Sequence, residues 1–296
     1  MAQGSWWTRV LCCPRCGGAL GDAAKSLVRC AACGPYPVLA HVPVLVADPT
    51  AWCRTWKDSV LATLAQFDAA DREAVAVVEA FARDGAASDV FADDWTRHEA
   101  EGAPPPSPVR GPASAALATL MKRWAQEGPA AWLEKKIGRP RGLVIELGCG
   151  AGERSAVLAK RAPRLVVGDR SLRAVLHARR RAALEGGDVE GVVLDAQQLP
   201  FKRGVAEVVV AEHLVDLLDD PGRFLEGVRA TLARGGRLLL TTSEPSLGTG
   251  EERALDALAV EAGLRVKSSA DGLPWLRVNS PRFVETYLVR ALELRR

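Results

Sequence analysis

No stretch of the chain approaches the roughly 18 consecutive apolar residues that a membrane-spanning helix needs. The opening Met1-Ala2-Gln3-Gly4-Ser5-Trp6-Trp7 lacks the charged-then-apolar layout of a secretory leader. A soluble cytoplasmic protein with no membrane partner is therefore expected. A dominant charge is also missing: 39 Lys and Arg stand against 36 Asp and Glu, and a net charge of +3 is too small for 296 residues to demand nucleic acid or an anionic surface. Neither disorder nor a fibre fits, because 48% apolar content suffices for an ordinary core, and the length suggests two domains at roughly 150 residues each. Cysteines number seven, an odd count, and five of them fall between Cys12 and Cys33. An odd and clustered set in a reducing compartment argues against a disulfide framework and for a metal.

Cys13-Pro14-Arg15-Cys16 and Cys30-Ala31-Ala32-Cys33 are two C-x2-C pairs separated by thirteen residues, each followed by glycine. Two intervening residues let a tight turn aim both sulfurs at one ion, and the glycine lets the backbone fold beneath it. Cys13, Cys16, Cys30 and Cys33 are thus the predicted ligands of a structural Zn2+, a closed site with no open catalytic position. Cys12 is read as a bystander that could compete with Cys13. The sequel Pro35-Tyr36-Pro37-Val38-Leu39-Ala40-His41-Val42-Pro43-Val44-Leu45-Val46 alternates β-formers with prolines, the pattern of short edge strands closing a ribbon over residues 1–48. Residues 11–46 resemble the small zinc-ribbon proteins that activate tRNA and protein methyltransferases, and the ribbons fused ahead of bacterial methyltransferases. That resemblance implies a surface for a protein partner. His41 stands where those sequences commonly have glycine and is expected to face solvent.

Residues 49–139 form a helical connecting region. Apolar residues recur at mixed three and four spacing over 51–84 and 113–137, for example Leu117, Leu120 and Trp124, and predict helices. Between them, residues 102–112 hold five prolines in eleven positions and read as a stiff, solvated connector. Phe91-Ala92-Asp93-Asp94-Trp95-Thr96-Arg97-His98 resembles an aromatic-acid-tryptophan motif that often precedes a methyltransferase catalytic domain, which implies a lid.

From 140 to the end, short apolar runs alternate with helical stretches, the signature of a parallel sheet covered on both faces. Leu143-Val144-Ile145-Glu146-Leu147 predicts a buried strand, and Gly148-Cys149-Gly150-Ala151-Gly152 a turn into a helix starting near Glu153. Alternate glycines reach φ angles closed to other residues and bare the backbone to a ligand. A diphosphate loop would read G-x-G-x-x-G, whereas here Gly152 comes one position early and Glu153 sits where a phosphate would be disfavoured. Two further carboxylates end predicted strands: Asp169 after Leu165-Val166-Val167-Gly168, twenty-one residues beyond Gly148, and Asp195 after Val192-Val193-Leu194. Residues 207–211 predict the fourth strand, Asp220-Pro221 a helix start, and Arg237-Leu238-Leu239-Leu240 the fifth strand.

Glu146 to Gly152 and the Asp195-Ala196-Gln197-Gln198-Leu199-Pro200-Phe201 turn resemble the class I S-adenosylmethionine-dependent methyltransferases, closely over residues 141–245. The resemblance implies a Rossmann-like α/β fold with a seven-stranded sheet, mostly parallel, its last strand antiparallel. It implies S-adenosyl-L-methionine as cofactor, bound by Glu146, Gly148, Cys149, Gly150, Gly152, Asp169, Arg170, Asp195, Ala196 and Ala211. By the same comparison Leu264 to Ser268 is a strand, Gly272-Leu273-Pro274-Trp275-Leu276 a substrate-side insertion, and Phe283 to Leu294 the terminal antiparallel strand. Two departures are Glu207, where an aspartate usually opens the fourth strand, and Asp216-Leu217, where many relatives have Glu-His.

Methyl transfer from a sulfonium expels a neutral leaving group, so alignment supplies much of the rate and a base is needed only for a protonated acceptor. His213 is the candidate base, with Glu212 and Asp216 as weaker candidates. No Asn/Asp-Pro-Pro-Tyr/Phe follows the fourth strand and no cysteine follows a proline, which disfavours the usual DNA amino and cytosine carbon-5 routes. An oxygen or nitrogen of a small molecule is favoured and RNA stays open, with Arg173, Arg179, Arg180 and Arg181 read as a solvated helix face. Ribosomal guanine-N1 methyltransferases also pair a zinc module with this fold, but theirs ends in histidine where this chain has Cys33. A non-catalytic donor-binding scaffold and a nicotinamide oxidoreductase are the other readings.

Overall fold

A computed structural model describes residues 6–70, 72–82, 119, 122–124, 126–243, 246–247, 253–280 and 283–296. The proline-rich connector, the Phe91–His98 motif and residues 113–118 lie outside them. In chain order the elements are α1 Trp6–Val10, β1 Leu20–Ala24, β2 Leu27–Cys30, β3 Gly34–Leu39, β4 Val42–Leu45, α2 Pro49–Gln66, α3 Arg72–Phe81, α4 Pro129–Ile137 and β5 Leu143–Leu147. There follow α5 Glu153–Ala159, β6 Arg164–Asp169, α6 Leu172–Leu184, β7 Val189–Leu194, β8 Ala206–Glu212, α7 Pro221–Thr231 and β9 Leu232–Thr242. The chain closes with β10 Ser246–Leu247, β11 Arg253–Ala254, α8 Leu255–Glu261, β12 Arg265–Ser280 and β13 Phe283–Arg295.

The predicted strands are buried on both faces, and alternate side chains enter two separate cores. Ile145, Val166, Val209 and Leu238 point to one core with Phe224 and Val228 of α7. Val144, Val167, Val208 and Leu239 point to the other with Leu158 of α5, Val175 of α6 and Ile137 of α4. Seven strands run in the order β7-β6-β5-β8-β9-β13-β12. The first five are mutually parallel, and β13 lies antiparallel to both β9 and β12. This is the expected Rossmann-like α/β arrangement, with its last strand antiparallel. Asp220 caps α7 through the Arg223 amide at 2.9 Å. Glu207 takes the amides of Arg141 and Gly142 at 2.9 and 2.5 Å, so its longer side chain tethers the entry to β5.

Three expectations need correction. The sheet has eleven strands, because β4 pairs in parallel with β7 (Val44 with Val193, Leu45 with Leu194) and β3, β2 and β1 continue antiparallel beyond it. β4 is thus interior, not an edge strand: every residue from Val42 to Leu45 is buried, the mark of a strand covered on both faces. Pro43 is tolerated because it precedes the two residues paired with β7. Second, the Gly272–Leu276 segment is part of β12, which extends to Ser280; Gly272 at φ +69° turns what reads as a loop into a register shift between Ala270 and Leu273. Third, the helical reading of 51–84 divides into α2 and α3, with Asp68 at φ +52° in the break. Among the described residues no helix is long and apolar enough to cross a membrane.

Candidate active site

β5 ends in the glycine turn at the carboxyl edge of the sheet. Gly148, Gly150 and Gly152 have φ of +70°, +47° and +82°. At Gly152 a Cβ would sit 2.5 Å from the Ala178 Cα, so glycine there lets α5 and α6 approach. Asp169, at the end of β6, accepts the Gly150 amide at 3.1 Å on one oxygen and the Ser171 amide at 3.0 Å on the other. The carboxylate is pinned beside the turn by these two amides. Asp195 accepts the Gln197 amide at 2.9 Å, and Ala196 beside it is buried. Ala211 is fully buried near the end of β8. The carbonyl of Arg170 accepts the Trp52 indole N–H at 3.0 Å.

Below the turn, Glu146 is 3% exposed and accepts the Ser155 hydroxyl at 2.5 Å. Burial pushes its carboxyl up to about 8, against the pull of the Ser155 bond and with help from Glu212. Cys149 is buried and its thiol is held well above the usual range by burial. Arg154, one residue into α5, donates to Glu212 at 2.9 Å and to Glu134 at 3.4 Å. Burial opposes its charge, but Glu212, Glu146 and Glu134 outweigh it.

These elements enclose a cavity of about 440 Å3 over the turn. Glu146, Gly148, Cys149, Glu212 and His213 of the predicted residues line it; Gly150, Gly152, Asp169, Arg170, Asp195, Ala196, Ala211 and Asp216 are not on its wall. Asp216 instead accepts from the Thr242 hydroxyl and from the Ser243 amide and hydroxyl at 2.9 and 2.8 Å, which ties it to the end of β9. His213 lies against Trp275, ring centroids 4.1 Å apart. Burial drives its imidazole below the ordinary value, and Glu212 and Asp216 oppose the shift. Arg154, Glu153, Trp124 and Pro129 are cavity residues that sequence reasoning did not single out. A signal for Arg154 existed: it precedes buried Leu158 by four residues and so shares its inward helix face. Pro274, Trp275 and Leu276 of the segment expected on the substrate side also line the cavity, and Trp124 joins them through tertiary packing that no local pattern encodes.

The thiols of the N-terminal segment form a second cluster. The ligand atoms of Cys13, Cys16, Cys30 and Cys33 all lie within 4.8 Å of one another, and the Cys16 and Cys30 sulfurs are 3.6 Å apart. Sulfurs on a tetrahedron about 2.3 Å from zinc are about 3.8 Å apart, so the set suits one ion. A Cβ at Gly18 would come within 3.1 Å of the Cys16 sulfur, and the Tyr36 hydroxyl lies 3.1 Å from that of Cys13. His41 is exposed and outside the cluster. Of the helix arginines, Arg173 reaches Thr63 of α2 and Arg179 the Ala40 carbonyl, so that face is partly turned inward rather than solvated.

Residues 145–240 match the family described as the methyltransferase domain. The ubiquinone/menaquinone biosynthesis C-methyltransferase UbiE of Desulfotalea psychrophila (strain LSv54 / DSM 12343) is 34% identical over 113 residues, 37% of this chain and 45% of that protein. The chain thus spans about half the length of this curated relative. Among solved structures, an S-adenosylmethionine-dependent methyltransferase from Mesorhizobium loti is 12% identical, with a TM-score of 0.45 over 57% of this chain and 98% of that one. A chain from the complex of the Haloferax volcanii Trm112 methyltransferase activator with a methyltransferase is 18% identical, with a TM-score of 0.44 over 61% of this chain and 94% of that one. The strand order and the glycine turn thus accompany a methyltransferase-domain match that spans residues 145–240.

Proposed function

We propose that the whole chain transfers a methyl group from S-adenosylmethionine to an oxygen or nitrogen of a small-molecule acceptor. The observation that carries this is the make-up of the cavity wall: Glu153 and Glu212, with the buried Glu146 carboxyl able to ionise against a cation, stand against one guanidinium, Arg154, which Glu212 and Glu134 already engage. Such a wall suits a sulfonium and an ammonium and opposes phosphates. When bound, the donor supplies an activated methyl group. Asp169 and Asp195 would take its ribose and adenine, with Arg170, Ala196 and Ala211 alongside. Gly148, Cys149, Gly150 and Gly152 would offer bare backbone, and Glu146 would meet the amino-acid end.

The same charge pattern disfavours a polyanionic RNA acceptor, and the inward turn of Arg173 and Arg179 removes part of the basic face that RNA would need. An acceptor other than RNA also agrees with the Desulfotalea relative, named for ubiquinone and menaquinone biosynthesis, although that protein is a C-methyltransferase whereas oxygen or nitrogen is proposed here. Cys13, Cys16, Cys30 and Cys33 would hold one structural zinc. In this scheme residues 1–48 form the zinc ribbon, 49–139 the helical lid region and 140–296 the catalytic domain, with the ribbon free to recruit a protein partner.

The test is release of S-adenosylhomocysteine when the purified chain and labelled donor meet cell extract, with and without RNase. Label in small molecules that survives RNase is expected. RNase-sensitive label would transfer the function to RNA, and donor binding with no release would leave only a scaffold.

A further inference from the structure

His213 carries two features that cost stability and that the fold does not use. Its backbone sits at φ +51°, in the left-handed region that residues with a Cβ seldom occupy. Both ring nitrogens are shut off from solvent with no hydrogen-bond partner among the described residues, although buried polar atoms are nearly always paired. The residue lies on the cavity wall, and Trp275 lies across its ring with the two planes 22° apart. Trp275 in turn tilts against Tyr287, its partner across the β12–β13 ladder, at 5.1 Å between centroids.

A side chain needed only for packing would carry no orphaned nitrogens, so the imidazole is the wrong choice unless an O–H or N–H arrives to meet it. The surroundings specify the rest of that ligand. Trp124, Trp275, Pro129 and Pro274 offer flat, apolar surface on the cavity wall, where an aromatic ring stacks well. The carboxyls around the committed Arg154 repel an anion. Burial keeps the imidazole unprotonated and able to accept.

Building on the methyltransferase function proposed above, we propose that the acceptor is a planar aromatic molecule without negative charge, bearing a phenolic O–H or ring N–H. It stacks against Trp275, and His213 takes its proton. The acceptor oxygen or nitrogen bonds to the methyl carbon as the carbon–sulfur bond of the donor breaks. The bonding pair leaves on sulfur as a neutral thioether, and the acceptor proton passes to His213 and on to solvent.

The full chain saturated with S-adenosylmethionine is offered 2-naphthol, catechol, indole and benzimidazole, with cyclohexanol and cyclohexylamine as non-aromatic counterparts. At least one aromatic compound should bind by calorimetry and release S-adenosylhomocysteine, with the methyl on oxygen or nitrogen by NMR. His213→Asn, which tolerates positive φ, should lower kcat about 100-fold or more and abolish the acidic limb of the pH profile, with donor Kd within about twofold of wild type. Trp275→Leu should raise the acceptor KM about tenfold, and Trp275→Phe should restore it. Binding of none of the four aromatics, equal turnover of the cyclohexyl compounds, a carbon-methylated product, or a wild-type kcat in His213→Asn would each overturn the inference. Failure of the wild type to bind S-adenosylmethionine would instead refute the underlying methyltransferase proposal.

Discussion

The Trp52 indole N–H and the Arg170 carbonyl meet at 3.0 Å across 118 residues of sequence. Trp52 belongs to α2, outside the predicted catalytic region, while Arg170 follows Asp169 in the turn where the donor ribose is expected. The N-terminal segment grips the next loop as well: Cys12 donates its amide to the Pro200 carbonyl, Lys202 donates to that of Val10, and Leu11 bridges Phe201. Both loops that carry candidate donor carboxylates are therefore braced by residues ahead of the methyltransferase-domain match.

Trp52→Phe keeps most of the buried ring and deletes the N–H. A neutral hydrogen bond contributes about 0.5–1.5 kcal/mol net, so donor affinity measured by calorimetry should fall about 2- to 10-fold with the domain still folded. Unchanged affinity would show that the Arg170 turn holds its shape without the brace.

Asp169→Asn retains the shape at the end of β6 but replaces an acceptor-only carboxylate by an amide. Donor binding should weaken by about tenfold or more, because one ligand hydroxyl loses its acceptor and the Gly150 amide bond is compromised. Wild-type affinity in this variant would remove Asp169 from the ribose site.

Glu146 makes stability and binding respond to pH in opposite senses. Its carboxyl rises from 4.5 to about 8 in the fold, so between those values the native state holds more protons than the unfolded chain, and stability without ligand falls as pH rises through that window. Donor affinity should increase over the same window as the carboxylate forms. Glu146→Gln should flatten the melting temperature profile and raise it by several degrees near pH 8.5, while donor affinity drops. Parallel melting profiles for the two proteins from pH 5 to 9 would contradict the raised carboxyl.

Metal analysis of the purified chain should return about one zinc per chain, and Cys30→Ser should lose it. Because β4 is joined to β7, the loss should lower the melting temperature of the whole sheet rather than unfold a detached ribbon. Zinc-free protein with an unchanged melting temperature would contradict a structural zinc.

Much of this architecture was legible because its signals are local. Period-two burial and apolar runs mark the strands, glycines mark the β5 turn, and the C-x2-C spacing marks the thiols. The continuous sheet was not legible: Pro35, Pro37 and Pro43 look like edge punctuation, and only the tertiary fold shows that Pro43 falls just before the residues paired with β7. Likewise Gly272 and Pro274 read as a loop, yet the hairpin absorbs them through one register shift. The pairing of Arg154 with Glu212 joins residues 58 apart, and its presence on the cavity wall follows from that packing.

Parallel pairing of β4 with β7 also changes what the peptide link between α3 and α4 has to do. Two halves that share one hydrogen-bond ladder and contribute together to both apolar cores are held side by side without it. Expressed as separate polypeptides divided within that link, they should reassemble as a heterodimer, with the N-terminal piece acting as a detachable subunit.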